Sequence, residues 1–150
     1  MKKFSFKLDT LIEIRKRKED EIKLLLAEQN RKIIEEQKKL NSLHDELKAL
    51  QQKEKEERNN AANILSMRYS VVFRYKLKKD ILEKGRKVDD MKAEAFKIQK
   101  KLIHATKEKR AIELMREHRH EEWKKEYLSE EQGFIDDISQ QKFIRENAEK

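Results

Sequence analysis

Apolar residues recur along this chain at alternating steps of three and four. From Leu8 the spacing runs through two interleaved sets. One reads Ile12, Glu19, Leu26, Ile33, Leu40, Leu47, Glu54 and Ala61; the other reads Leu8, Arg15, Ile22, Gln29, Glu36, Leu43, Leu50, Glu57 and Ile64. Eleven of these 17 positions are apolar and the phase never changes. Such a stripe turns slowly around a helix and faces a second helix in a coiled coil. The pattern predicts a first helix over about residues 8–57, with its densest seam from Leu40 to Leu50. Thr10 and Glu13 stand at capping-box spacing near its start.

A second stripe reads Leu77, Ile81, Lys84, Val88, Met91, Ala95, Ile98, Leu102, Ala105, Lys109 and Ile112. It predicts a second helix over about 67–147. The stripe passes Gly85 in phase, so Gly85 reads as a tolerated helical glycine rather than a turn, at a cost of about 1 kcal/mol against alanine. The turn falls instead in "KEKEERNNAANILS", where charged residues occupy the seam and Asn59, Asn60 and Asn63 follow. Asparagine tolerates the left-handed region and bonds its own backbone, so it ends a helix without glycine. The expected fold is all-α: an antiparallel two-helix coiled-coil hairpin, one domain, with its turn near residues 58–66 and the second helix the longer. One continuous helix in a parallel dimer is the competing arrangement. The seam of the hairpin joins Leu26, Ile33, Leu40, Leu43, Leu47 and Leu50 to Val88, Met91, Ile98, Leu102 and Ile112.

A turn centred near residue 62 sets Leu47 opposite Leu77, Leu43 opposite Ile81 and Leu8 opposite Arg116. Helix 2 therefore continues past about residue 116 with no helix 1 beside it. That overhang carries Trp123, Tyr127, Leu128, Phe134, Ile135, Ile138, Phe143 and Ile144. Large apolar groups without intramolecular cover mark a partner surface. The alternative is that Gly133 kinks or breaks the helix and the last segment folds back on Phe4 and Phe6. A second cluster, "ILSMRYSVVFRYKL", places Tyr69, Val71, Val72, Phe73, Tyr75 and Leu77 on more faces than one seam covers. It reads either as a partner anchor or as packing around the turn.

Composition agrees with long helices. Two glycines and no proline leave few preset turns, and the 36% of apolar residues suffices for a narrow seam rather than a thick core. Without cysteine there are no disulfides. The longest aliphatic run, Leu24 to Ala27, is far short of the ~20 residues of a membrane span, and no secretory h-region is present. A cytoplasmic chain is expected. The net charge of +8 arises from 38 basic and 30 acidic residues, so most charge is an interspersed solvated face.

Catalytic chemistry finds no foothold. No phosphate-cradling glycine loop is present and no nucleophile stands beside a base. A two-helix coil also lacks a concave pocket that would exclude water. His118 and Glu122 are four apart, yet two ligands do not make a structural zinc site. No catalytic residue, metal, cofactor or small-molecule substrate is expected. The basic runs "IRKRK" and "KKLIHATKEKR" raise nucleic-acid binding as an alternative, although acidic residues interrupt them and no reading module is present.

The two ends of the chain resemble the FliJ family of the bacterial flagellar type III export apparatus. "FSFKLDTLIEIRKRKEDEIKLLLAEQ" follows the family opening F-x-F-x-L-x-x-L-hydrophobic-x-x-R, with Phe4, Phe6, Leu8, Leu11, Arg15 and Ala27 in matching places. The close, "LSEEQGFIDDISQQKFIRE", follows the family trend at Glu131, Ile135, Asp136, Asp137, Ile138 and Phe143, with Ile for Leu and Asp for Glu as departures. The resemblance spans the whole length. It implies a hairpin similar to the rotor stalk of rotary ATP synthases, which sits in the hexameric export ATPase, contacts the membrane export gate and handles export chaperones. It also implies a peripheral location at the cytoplasmic face of the inner membrane, at the flagellar base, with the hairpin monomeric when alone. The family's gate-contacting patch implies that role for Phe73 and Leu77, with Tyr69 and Val72 beside them. The ring-contacting surface would comprise Phe4, Phe6, Trp123, Tyr127, Phe134, Ile135, Ile138 and Phe143. The polar seam positions Arg15, Glu19, Gln29 and Glu36 would leave their part of the hairpin loosely paired. The other readings are a basic nucleic-acid-binding coil and a self-associating scaffold.

Overall fold

The computed structural model describes residues 3–60 and 63–148. It consists of two helices, α1 (Asp9–Asn59, 51 residues) and α2 (Ile64–Ala148, 85 residues), paired as an antiparallel hairpin. The described residues contain no strand. Helix α1 starts at Asp9, one residue before Thr10: the Asp9 amide donates to the Phe6 carbonyl at 3.2 Å and the Ile12 amide to the Leu8 carbonyl at 3.0 Å. Asp9 thus lies in the first turn, where its carboxylate suits the positive end of the helix dipole.

Both helix ends that flank the connection are capped. The Asn60 amide donates to the Glu57 carbonyl at 3.3 Å, which closes the last turn of α1. Asn63 starts α2: its Oδ1 accepts the Leu65 amide at 3.1 Å and its carbonyl accepts the Met67 amide at 3.2 Å. This is an N-cap, in which a side-chain oxygen satisfies one of the orphan amides of a first turn. The asparagine-rich stretch therefore works partly by starting the second helix. Ala61, placed on the seam from its spacing, lies outside the described residues.

Neither glycine interrupts α2, which runs helical through Gly85 and Gly133 to Ala148. A side chain at either glycine would meet nothing within 4 Å, so neither is required by close approach. The last segment does not fold back on Phe4 and Phe6, because an unbroken helix cannot reverse direction.

The contacts divide the chain into two units. One is Asp20–Ile103; the other joins the residues up to Glu19 with those from His104 on. In the first unit the seam follows the sequence stripe. Leu40, Leu77, Val88 and Ala95 are buried, Val88 with 1% exposure, while Leu26, Ile33, Leu43, Leu47, Leu50, Met91, Ile98 and Leu102 are half-buried. Half-burial is what a two-helix seam gives, since each side chain has one neighbour helix and open solvent beyond it. In the second unit Ala105 is buried and Ile12 and Ile112 are half-buried.

The polar seam positions are matched rather than loose. Gln29 Nε2 donates to the Met91 carbonyl at 3.2 Å, and Glu36 takes Lys84 at 2.9 Å and Lys87 at 3.6 Å, all within the first unit. In the second unit Arg15 meets Glu108 at 2.5 Å, Glu19 meets Lys109 at 2.5 Å and Asp9 meets Arg116 at 2.9 Å. These partners sit where a turn centred near residue 62 puts them. Complementary charges inside a seam fix register, because sliding by one turn would leave each without its partner.

Candidate partner-binding surfaces

Near the turn the usual arrangement of a coiled coil is reversed. The seam there is polar: Arg74 Nη1 donates to Glu54 Oε2 at 2.7 Å, Ser66 Oγ donates to Glu57 Oε1 at 3.2 Å, and Ser70 is buried. These positions continue the stripe of Leu77 backwards in steps of three and four. With the seam filled by Ser70 and Arg74, the apolar residues of the same stretch face outward. Ile64, Leu65, Tyr69, Val71, Val72, Phe73 and Tyr75 are all exposed, Tyr69 at 77%.

This divides the four residues implied for gate contact. Tyr69, Val72 and Phe73 lie on the surface, but Leu77 is only 3% exposed and belongs to the seam. Its place in the second apolar stripe decides this: three residues after Arg74 and four before Ile81, it points at α1. Phe73 is shifted round the helix from it and stays 46% exposed. A four-residue spacing does bring two side chains together on a free helix. Here the neighbouring helix claims one of them.

At the other unit, residues 3–6 form an irregular arm against α2, and Lys7 and Leu8 turn it into α1. Phe4 meets His120 edge-on with centroids 4.9 Å apart and lies 5.8 Å from Trp123; Trp123 in turn lies 5.3 Å from Tyr127. Phe4, Phe6, Trp123 and Tyr127 are half-buried in consequence. Of the alternating Phe4, Phe6 and Leu8, the two phenylalanines are half-buried in the arm, while Leu8 lies in the turn before α1 and is exposed. The arm covers part of what the helix-length argument left bare beyond Arg116.

Beyond Tyr127 the cover ends. Phe134, Ile135, Ile138 and Phe143 are all exposed. Trp123, Tyr127, Phe134 and Ile138 follow one another at helical spacing on one face, and that face continues the one Ala105 and Ile112 present to α1. Phe143 lies on the opposite side of the helix. The residues implied for ring contact therefore form two groups: an aromatic cluster already engaged with the arm, and a bare stripe that carries the seam face onward.

Electrostatics adds one perturbed carboxylate. Glu36 is held down to about 2 from an ordinary 4.5, chiefly by its hydrogen bond with Lys84 and then by Lys39. Among the described residues no group of three or more His, Cys, Asp or Glu side chains could hold a metal ion. His118 Nδ1 lies 3.2 Å from the Glu122 carboxylate, one turn on along the same helix. No described helix is long and apolar enough to cross a membrane.

The family profile of the flagellar FliJ protein matches residues 4–148, nearly the whole chain. No curated protein and no solved structure matches it. The chain belongs to the FliJ family and is a component of flagellar protein export.

Proposed function

From that membership we propose that this protein is a stalk-like, non-catalytic coiled coil of the flagellar export apparatus. Its seam-face extension beyond Tyr127 binds the hexameric export ATPase, its turn end meets the membrane export gate, and it handles export chaperones. It works peripherally at the cytoplasmic face of the inner membrane. The observation that carries the reading is the bare stripe of Phe134 and Ile138. A helix face that buries its residues against α1 near Ala105 has no helix to bury them against here. Exposed apolar side chains in line with a seam fit a further helix or the wall of a ring.

ATP hydrolysis by the cognate flagellar export ATPase, below the concentration at which its ring assembles alone, tests this. The wild-type protein is expected to stimulate hydrolysis. Phe134→Ala with Ile138→Ala is expected to abolish the stimulation and leave helix content unchanged, since both side chains are exposed. Full stimulation by that variant would place the ring contact elsewhere.

A further inference from the structure

The turn end carries a second asymmetry, in charge. Residues 58–79 contain no Asp or Glu, in a chain where one residue in five is acidic. The same stretch holds Arg58, Arg68, Arg74, Lys76, Lys78 and Lys79. Arg74 is committed to Glu54 in the seam, and Lys79 approaches Glu83 at 3.9 Å. Arg68, Lys76 and Lys78 are exposed and form no ion pair among the described residues.

Arg68, Lys76 and Lys79 share a face with the exposed apolar groups. Leu65, Arg68, Tyr69, Val72, Lys76 and Lys79 follow at helical spacing on the side of α2 turned away from the seam. Helix α1 opposite is different: Gln51, Gln52, Lys53, Lys55, Glu56 and Arg58 are exposed and polar. One side of the hairpin end suits water and the other a surface at once apolar and negatively charged.

We propose that the outer face of α2 over residues 64–79 docks on an anionic lipid bilayer. Its aliphatic and aromatic side chains would enter the interfacial region while Arg68, Lys76 and Lys79 reach the headgroups along their flexible stems. The tyrosines have the amphipathic rings that favour the headgroup level. The chemistry separates this from other acceptors. Protein interfaces are depleted in lysine and gather apolar groups at a centre with a polar rim, whereas here lysines and apolar groups interleave. Nucleic acid would meet the charges but leave Leu65, Val71 and Val72 with nothing to stack on or hydrogen-bond. Phe73, which lies beside the seam and outside this face, remains for the gate contact of the proposed function, so a lipid contact on the outer face and a gate contact at the turn end are compatible. The inference rests on exposure and charge and does not depend on ATPase binding.

Co-sedimentation of the full chain with vesicles tests it, comparing phosphatidylcholine alone with phosphatidylcholine holding about one-quarter phosphatidylglycerol. Binding is expected only with the anionic lipid and should weaken as salt rises. Arg68→Gln, Lys76→Gln and Lys79→Gln together are expected to lower partitioning roughly 100-fold, at about fivefold per charge near the surface. Lys16→Gln, Arg17→Gln and Lys18→Gln remove the same charge from exposed positions elsewhere and should change it by less than about threefold. Leu65→Asn with Val72→Asn should also weaken binding, with helix content preserved by circular dichroism. Absence of binding to anionic vesicles, equal binding to neutral ones, or equal loss in the control triple variant would overturn the proposal. Retention by the export gate's cytoplasmic domain without vesicle binding would assign this face to protein, and would leave the stalk reading standing.

Discussion

The two ends of the hairpin solve opposite problems with the same residue types. Near the turn the seam is polar, with Glu54, Ser66, Ser70 and Arg74, and the apolar groups lie outside it. In the other unit the apolar groups beyond Ala105 stay on the seam face, but α1 is replaced first by the arm at Phe4 and then, among the described residues, by nothing. The difference teaches where to read folding and where to read recognition. An apolar residue in phase with a covered seam stabilises the hairpin. One out of phase, or in phase where the partner helix is missing, is available to another molecule.

The sharpest way to break that comparison is at Phe73 and Leu77, four residues apart. Leu77→Ala is expected to destabilise the hairpin by about 3 kcal/mol, as a truncated buried leucine does. Phe73→Ala should stay within about 0.5 kcal/mol, as a surface change away from special features does. Urea unfolding followed by circular dichroism measures both. Equal losses would show that Phe73 packs as part of the core, and the surface reading of the turn end would fail.

The ionic seam of the other unit gives the next largest effect. Glu19 is 3% exposed and its carboxylate meets Lys109 at 2.5 Å. Glu19→Leu alone should cost about 2 kcal/mol, because it takes the carboxylate away from a charge held in the seam. Glu19→Leu with Lys109→Leu should recover that loss and add about 1 kcal/mol, since a well-packed apolar pair outdoes a desolvated ion pair. If the double variant unfolds at lower urea than the single one, the pair contributes more than register.

The smallest effect belongs to Glu36. Its folded-state pKa of about 2 lies below the ordinary 4.5, so the carboxylate contributes stability above about pH 4.5 that is lost as pH falls through about 2. The melting temperature of Glu36→Gln should therefore trail the wild type by a constant margin at neutral pH. That margin should close over this acid window. A margin independent of pH would mean that the lysines around Glu36 do not hold its charge.

Much of this was legible in the sequence. The alternation of three and four located both helices, Asn59 to Asn63 located the turn, and the turn's position set which residues face one another, placing Arg116 opposite Leu8, next to the Asp9 that it pairs with. The seam phase at the turn was legible too, by stepping back from Leu77 to Arg74 and Ser70, but those residues are polar and carry no hydrophobic signal. The acid-free stretch from 58 to 79 was equally open to inspection, hidden by a net charge that averages over the whole chain.

The sequence by itself determined the two helical stripes, their order and the place of the turn, and for a hairpin its register, because a 3.5-residue period and a short turn leave one antiparallel alignment. The structure decided for the hairpin over a continuous helix in a parallel dimer. Only the tertiary structure decided that Leu77 belongs to the seam, that the arm lays Phe4 against Trp123, and that Arg15, Glu19 and Glu36 find charges across from them. Periodicity is a property of one helix, whereas burial and charge pairing are properties of two surfaces brought together, and one strand of sequence records only its own side of each contact.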